Sequence, residues 1–293
     1  MQKSRLYISG LWLIRGNNKR DKKHYDNLLD PTFEIVRGQN VLFFSDDQQI
    51  LEQAKRIAER YNIHFYSEYL EIENLPNAEL SRQIADNACS FRAAPFEILV
   101  ADGTISKEMG LYASLHYTGD KQRDERFSKM TQIYLSRPGL LNRAAQKYDH
   151  KEFIWFDASV SRFRQSRAKA DFTKWKLESD RIHHYGSIMK FYGRSQPLNG
   201  SVLAGDRNAV ERLNTLFQEQ CLFYAQSGCT YPTDDEYIHM LCYKISPELY
   251  KDVNFKRRNI AQKIIGKLIY VTGLTSFFAK ALNNEMKLIK KIP

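Results

Sequence analysis

The chain has 293 residues, of which 43% are hydrophobic and 27% are charged, and its formal net charge is +10. This length and balance are typical of a globular protein with one large domain or two small ones, with a core that needs no disulfides. No run of eighteen uncharged apolar residues occurs, which argues against a membrane-spanning helix. The four cysteines include no CxxC pair, which argues against a zinc site and favours reduced thiols in a cytoplasmic protein.

The positive charge is concentrated in one segment. Residues 256–293 contain nine Lys or Arg and one acid, Glu285, so they carry +8 of the total +10 and the rest of the chain carries only +2. A nearly neutral body argues against a nucleic-acid-binding surface and favours one localised electrostatic contact. We therefore divide the chain into a domain, 1–255, and a basic tail, 256–293.

The basic tail also contains apolar residues, among them Ile264, Leu268 and Phe277. A basic amphipathic segment is typical of attachment to an anionic membrane surface, where each basic residue contributes about 1 kcal/mol. The alternative is a helix that packs on the core and exposes its basic side chains to water. We expect the membrane contact.

The first part of the chain alternates strands with a helix. The apolar run at 5–14 predicts a strand, and NVLFFS at 40–45 predicts a second strand with both faces covered. Residues 48–60 have a helical period, and 62–66 predict a third strand. The order strand, helix, strand predicts an α/β fold with a mostly parallel sheet and crossover helices.

Further elements follow a less regular segment. Residues 125–148 predict one or two helices with a break at Pro138, and a strand is predicted directly after them. A short strand at 201–204 precedes a long amphipathic helix, for which Asp206 is the predicted N-cap. These elements extend the predicted sheet into the second half of the chain.

The segment KEFIWFDASVSRFR, 151–164, suggests a functional site. A buried apolar run ends on Asp157, and the hydroxyl of Ser159 follows two positions later. In open α/β sheets, ligands bind at the carboxyl ends of the strands. Oxygen groups with this spacing suit Mg²⁺ or Mn²⁺ completed by water and substrate phosphates. A site for a nucleotide-diphosphate donor is one interpretation, and a carboxylate that caps the following turn is the other.

Four blocks of sequence give the chain a resemblance to glycosyltransferases of the GT-A type, in particular the bacterial HtrL/YibB-like family. YISGLWLIRG is similar to that family's first strand and turn, and VLFFSDD to its second strand. FIWFDASVSRF is similar to the segment WIDAG, where GT-A enzymes carry their DxD-type motif. LNGSVLAGDRNAVERLNTLFQEQC, together with YPTDDEYIHMLCYKISPELY, resembles the later strand and helices. Ser159 departs from the pattern, because a full DxD motif has a second Asp there.

The resemblance implies a GT-A-like open, mostly parallel sheet flanked by helices. It also implies an enzyme that moves a sugar from a nucleotide-sugar donor to a glycan or glycolipid acceptor of the lipopolysaccharide or capsule type, with Mn²⁺ or Mg²⁺ as cofactor. With the basic tail, it implies a cytoplasmic protein peripheral to the inner membrane, with no nucleic-acid partner. The alternative is a catalytically weak binding or scaffold protein of the same fold.

The resemblance also assigns residues to the two substrates. Nucleotide-sugar binding is expected from residues at strand ends, in the turn after the first strand and on the helix before the Asp157 strand, namely Ser9, Gly10, Leu11, Arg15, Asp46, Lys129 and Asp157. Asp157 and Ser159 are the expected metal ligands. Gly205 and Glu236 are expected to form the acceptor pocket.

Three adjacent acids, Asp234, Asp235 and Glu236, form the candidate catalytic group. Neighbouring carboxylates repel one another, which suits one of them to accept a proton. An inverting transferase needs such a base for the acceptor hydroxyl, and we expect Asp235 ahead of Asp234 in this role. The alternative is that these acids only stabilise the N-terminus of a helix.

Overall fold

The computed structural model describes eight parts of the chain, which are 5–14, 22–90, 121–161, 172–186, 190–191, 194–195, 198–227 and 235–253. Two predicted site residues, Arg15 and Asp234, lie outside these parts, as does the basic tail. Within the described parts, no helix is both long and apolar enough to cross a bilayer.

The described strands are β1 (Arg5–Gly10), β2 (Asn40–Ser45), β3 (His64–Tyr69), β4 (Glu152–Phe156), β5 (Ile182–Tyr185), β6 (Lys190–Phe191), β7 (Arg194–Ser195), β8 (Asn199–Asp206) and β9 (Tyr250–Asp252). The described α-helices are α1 (Lys22–Ile35), α2 (Gln48–Arg60), α3 (Ala78–Ser90), α4 (Lys121–Leu135), α5 (Arg137–Lys147), α6 (Arg207–Gln226) and α7 (Asp235–Ile245). Short 3₁₀ turns occupy Ile72–Asn74, Phe172–Lys174 and Pro247–Leu249.

Seven of these strands form one sheet in the order β3-β2-β1-β4-β8-β5-β9. Strand β8 runs antiparallel to β4 and β5, and the other neighbours in the sheet pair in parallel. The two short strands β6 and β7 form a separate antiparallel pair. The predicted α/β fold, an open and mostly parallel sheet flanked by helices, is confirmed.

The sheet is buried between two apolar layers. Each strand contributes side chains to both layers, because alternate residues of a strand face opposite sides. In β1, Leu6 and Ile8 belong to the layer that also contains buried residues of α3, α5, α6 and α7. Tyr7 belongs to the opposite layer, which contains buried residues of α1 and α2. Continuous apolar runs such as that of β4 therefore follow from a sheet covered on both faces.

Local signals in the sequence account for several of the helix boundaries. The Asp47 carboxylate caps α2 by accepting hydrogen bonds from the backbone N–H of Gln49 and Ile50. Asp206 caps α6 in the same way, by accepting from the N–H of Ala209, as predicted. The predicted break near Pro138 separates α4 from α5. These caps fix where the helices leave the edges of the sheet.

Candidate functional site

The carboxyl edge of β1, β2 and β4 carries the candidate site. Asp157 is the first residue after β4, and its backbone N–H donates to the carbonyl of Ser201 at 2.9 Å. Ser201 lies near the start of β8, and β8 runs antiparallel to β4. The end of β4 and the beginning of β8 therefore meet at the same edge, where parallel α/β sheets bind ligands.

A buried guanidinium joins two of the predicted acids. Arg137, at the start of α5, places Nη2 at 3.0 Å from Oδ1 of Asp157 and Nη1 at 2.6 Å from Oδ2 of Asp235. Arg137 is 8% exposed and Asp235 is 1% exposed. Burial disfavours the charged form of Arg137, yet the carboxylates of Asp157 and Asp235 raise the pKa of Arg137 above its ordinary value. The guanidinium therefore stays charged and holds β4, α5 and α7 together.

The start of strand β8 places Gly200 and the side-chain amide of Asn199 beside the acids of α7. A Cβ added to Gly200 would collide with Oδ2 of Asp235 and would lie 2.9 Å from Nη1 of Arg137. Glycine therefore leaves the space that the Arg137–Asp235 ion pair occupies. The side-chain amide of Asn199 donates to Oε1 of Glu236 at 3.0 Å. Asn199 thus holds Glu236 at the start of α7, and Gly200 leaves room for Asp235.

An open cleft lies beside this cluster. Most of its wall is aromatic or apolar, and its charged residues are Arg137 and Asp157. The described residues that line it come from β1, α1, α4, α5 and the end of β4, namely Gly10, Leu11, Trp12, Ile14, Tyr25, Met130, Ile133, Tyr134, Arg137, Trp155, Asp157, Ala158 and Ser159. Apolar walls with a few convergent polar groups are typical of a small-molecule site.

Several predicted residues lie in or beside this cleft. Gly10, Leu11, Asp157 and Ser159 line it. A Cβ added to Gly10 would collide with the Trp12 indole, so glycine allows that ring to lie on the strand. Ser9 is fully buried in β1, next to the lining but not part of it. Three of the six described residues that were expected to bind the nucleotide sugar, Gly10, Leu11 and Asp157, therefore line one cleft.

Asp46 and Lys129 lie near the cleft without lining it. Asp46 follows β2 and is half-buried, and burial raises its carboxyl pKa. The neighbouring Asp47, not Asp46, caps α2. Lys129 forms an ion pair with Glu125 of its own helix at 3.0 Å. A contact of these two residues with a bound donor stays a prediction.

The predicted acceptor residues are not brought together. Gly205 pairs with Phe153 near the start of β4, whereas Asp157 lies beyond the end of that strand. Four residues separate these positions, a distance of about 13 Å along a strand. Asp235 and Glu236 are buried behind Arg137 and do not line the cleft. The structure therefore places Gly200, not Gly205, beside the acids.

The residues present fit a divalent cation in part. Asp157 and Ser159 both supply oxygen to the cleft, and oxygen ligands are what Mg²⁺ and Mn²⁺ prefer. Three carboxylates, those of Asp157, Asp235 and Glu236, outnumber the single guanidinium, which favours a cation electrostatically. No group of three or more His, Cys, Asp or Glu in the described ranges is placed to hold a metal. A cation here would therefore rely on Asp157, with Ser159 and phosphate oxygens of a ligand.

No protein-family model matches the chain, and no curated protein matches it. Solved structures do match, and one of them is core-mannan synthase A from Aspergillus fumigatus in its Mn/GDP form. The two chains are 12% identical, the match covers 86% of this chain and 73% of that one, and the TM-score is 0.45. A likeness this distant defines neither a family nor an activity for the chain.

Sequence reasoning missed three residues of the site, Arg137, Trp155 and Gly200. Arg137 and Asp235 are 98 positions apart, so no local pattern connects them. Gly200 lies just before the predicted short strand and Trp155 within an apolar run, where each is typical of ordinary core. Only Arg137 had a signal in the sequence. It is a charged residue next to Pro138, at the predicted break between two helices, so it could be placed near the start of a helix.

Proposed function

We propose that the protein is a glycosyltransferase that moves a sugar from a nucleotide-diphosphate sugar to a glycan acceptor. The observation that carries this proposal is the Arg137–Asp157 ion pair, which lines an aromatic cleft at the carboxyl edge of the sheet. A sugar nucleotide combines a planar base, hydroxyl groups and a diphosphate. The cleft supplies aromatic walls for the base, and Asp157 and Ser159 supply oxygen ligands for a divalent cation that would neutralise the diphosphate.

The charged residues of the cleft indicate how the nucleotide-sugar donor would be bound. Transfer leaves negative charge on the departing diphosphate, and a preorganised cation in a dry site stabilises that charge without reorganising. The charge of Arg137 is balanced by Asp157 and Asp235, whose carboxylates occupy its two Nη atoms, so Arg137 holds Asp157 in place rather than binding the diphosphate itself. A Mn²⁺ or Mg²⁺ on Asp157 and Ser159, when bound, would neutralise the same leaving group. Asp157 then orients both the guanidinium and the donor.

Asp235 has a different role in this proposal from the one expected from sequence. A general base must reach the proton of the acceptor hydroxyl. Asp235 is 1% exposed and its Oδ2 is 2.6 Å from Arg137, so it acts on the cleft through that guanidinium. This burial favours a positioning role for Asp235 over direct removal of a proton. The role of Asp234 stays a prediction.

The finer assignment concerns the acceptor and the place of reaction. We infer a bacterial surface glycan as acceptor, of the lipopolysaccharide or capsule type, on a glycolipid at the inner membrane surface. Its support is the four-block resemblance to the HtrL/YibB-like family and the charge of +8 in the basic tail. Anionic lipid would hold such a tail near a lipid-linked acceptor.

One observation favours a second candidate, a transferase-like binding protein with weak catalysis. Ser159 lines the cleft where a second carboxylate would strengthen metal binding. A hydroxyl is a poorer ligand than a carboxylate for a hard cation. Such a protein would bind a nucleotide diphosphate without turnover.

A thermal-shift screen tests the proposed function. Nucleotide sugars and nucleoside diphosphates are added with and without Mn²⁺ to the wild type and to Asp157→Ala. A ligand at one hundred times its Kd adds about 2.7 kcal/mol of stability, which is easily measured. The proposal expects a shift in the wild type that Asp157→Ala loses. No shift with any nucleotide, in a protein shown to be folded, would contradict it.

A further inference from the structure

Two tryptophans line the cleft, and their indole nitrogens differ. Nε1 of Trp12 donates to the backbone carbonyl of Leu70 at 2.8 Å. Nε1 of Trp155 is buried and has no hydrogen-bond partner among the described residues. The two side chains are equally buried, with exposures of 4% and 3%. The Trp12 ring is therefore anchored by a backbone carbonyl, whereas the Trp155 ring has an N–H donor that no described residue uses.

The position of Trp155 links this unused donor to the candidate site. Trp155 lies on β4 two residues before Asp157, and residues i and i+2 of a strand face the same side. Their Cα atoms are then about 7 Å apart, which is shorter than a sugar diphosphate. Both residues line the same cleft. A ligand that contacts Asp157 would therefore extend past the Trp155 ring.

A buried N–H without an acceptor is unfavourable, since the group has lost its water and gained nothing in exchange. Native proteins rarely leave such groups unpaired, and each exception calls for an explanation. For Trp12, the backbone carbonyl of Leu70 is the acceptor. The contrast suggests that the acceptor for Trp155 arrives with the ligand.

We propose that Trp155 is a donor-binding residue whose Nε1–H donates a hydrogen bond to an oxygen of the bound nucleotide sugar. The inference rests on the proposed function and adds a specificity element to it. The oxygen belongs either to the diphosphate or to a hydroxyl of the transferred sugar. Both kinds of oxygen accept hydrogen bonds from an N–H group.

Isothermal titration calorimetry with Mn²⁺ tests this assignment on the full chain. The probes are UDP, GDP, UDP-glucose and GDP-mannose, and the variants are Trp155→Phe and Trp12→Phe. Phenylalanine keeps an aromatic ring and removes the N–H. Trp155→Phe is expected to weaken binding of the recognised nucleotide sugar about 3- to 10-fold, the effect of one hydrogen bond. An equal loss for the free diphosphate assigns the bond to phosphate, and a loss confined to the conjugate assigns it to the sugar.

The melting temperatures of the free proteins give an independent readout. Both substitutions remove the same atoms, so the difference between them reports the hydrogen bond. Trp12→Phe leaves the Leu70 carbonyl without its partner and is expected to lower Tm more than Trp155→Phe does. Trp155→Phe with unchanged affinity, or with a Tm loss as large as that of Trp12→Phe, would overturn the inference and leave the proposed function standing. A wild type that binds none of the four probes would overturn both.

Discussion

Arg137 and Asp157 form a buried ion pair in which Nη2 and Oδ1 are 3.0 Å apart. The pair joins the start of α5 to the end of β4, and through Nη1 of Arg137 it extends to Asp235 at the start of α7. The Arg137 guanidinium also lies over the Tyr134 ring, with Cζ 4.9 Å from the ring centroid. One cation therefore organises three elements at the edge of the cleft.

Removing this cation is expected to destabilise the fold. In Arg137→Met, two buried carboxylates lose their partner, and breaking a buried pair from one side costs about 3–5 kcal/mol. Urea unfolding of the variant measures this loss. Arg143→Met is the matched control, because Arg143 lies in the same helix and forms a 3.0 Å pair with Glu68, but is 47% exposed. An exposed pair contributes about 0–1 kcal/mol, so equal losses in the two variants would contradict the account.

Gly200 is expected to be intolerant of a side chain. Gly200→Ala would force the Asp235 carboxylate and the Arg137 guanidinium to move, at a cost of roughly 1–3 kcal/mol of stability. It should also weaken nucleotide binding, since it displaces Arg137. Gly186→Ala serves as control, because its nearest contact would be the end of the Asp252 side chain at 3.3 Å. Thermal unfolding and nucleotide titration of both variants check this, and a Gly200→Ala protein indistinguishable from wild type would sink the assignment.

Asp235 is expected to position Arg137 rather than exchange a proton with the acceptor. Asp235→Asn keeps an oxygen for Nη1 but loses the charge, so we expect about a 10-fold fall in kcat/KM and an unchanged pH profile of transfer. Loss of a general base would instead cost about 10²- to 10⁴-fold. The steady-state rate measured from pH 5 to pH 9 separates the two roles. A larger loss accompanied by disappearance of the acidic limb would restore Asp235 as the base.

Acid is expected to destabilise the protein through His239. Full burial lowers the pKa of His239 to about 3, from an ordinary value of 6.5. Below pH 6.5, His239 binds a proton in the unfolded chain but stays neutral in the folded protein. The free energy of unfolding therefore falls as the pH drops below about 6.5. Between pH 7.5 and pH 5 the loss from this group is about 2 kcal/mol.

Denaturant unfolding at these two pH values tests the effect of His239. His239→Leu should flatten the dependence on pH. Some slope remains, because burial also lowers the pKa of His184. His64→Gln, a change at an exposed histidine of β3, should leave the slope as it is. An equal slope in wild type and His239→Leu would refute the assignment.

The sequence predicted the elements whose signals are local. Asp206 caps α6, the apolar positions of 48–60 are buried in α2, and the apolar run before Asp157 is a fully buried strand. Helix α1 was not predicted. It contains Pro31, which is unfavourable inside a helix, and its burial of Leu29 and Phe33 against the sheet outweighs that local preference.

The position of Gly205 relative to Asp157 could not be predicted, because strand direction is not a local property. A strand that runs parallel to β4 would bring its last residues to the site, whereas the role of Gly205 in the acceptor pocket is implied by the family resemblance alone. Strand β8 is antiparallel, so its first residues, Asn199 and Gly200, reach the site instead. The Arg137 bridge was likewise hidden, since its two acids come from distant segments that only the sheet topology brings together.

Release of nucleoside diphosphate from a panel of nucleotide sugars tests the central claim most directly. Wild type, Asp157→Asn and Asp47→Asn are compared with Mn²⁺ present, after circular dichroism has shown that all three are folded. Asp47 is the matched control, because it also follows a strand of this edge but caps α2, a task that asparagine performs equally well. We predict release from at least one donor by the wild type, a fall of about 100-fold or more in Asp157→Asn, and a rate near that of wild type in Asp47→Asn. No release from any donor by folded wild type, or equal rates in wild type and Asp157→Asn, would contradict the account.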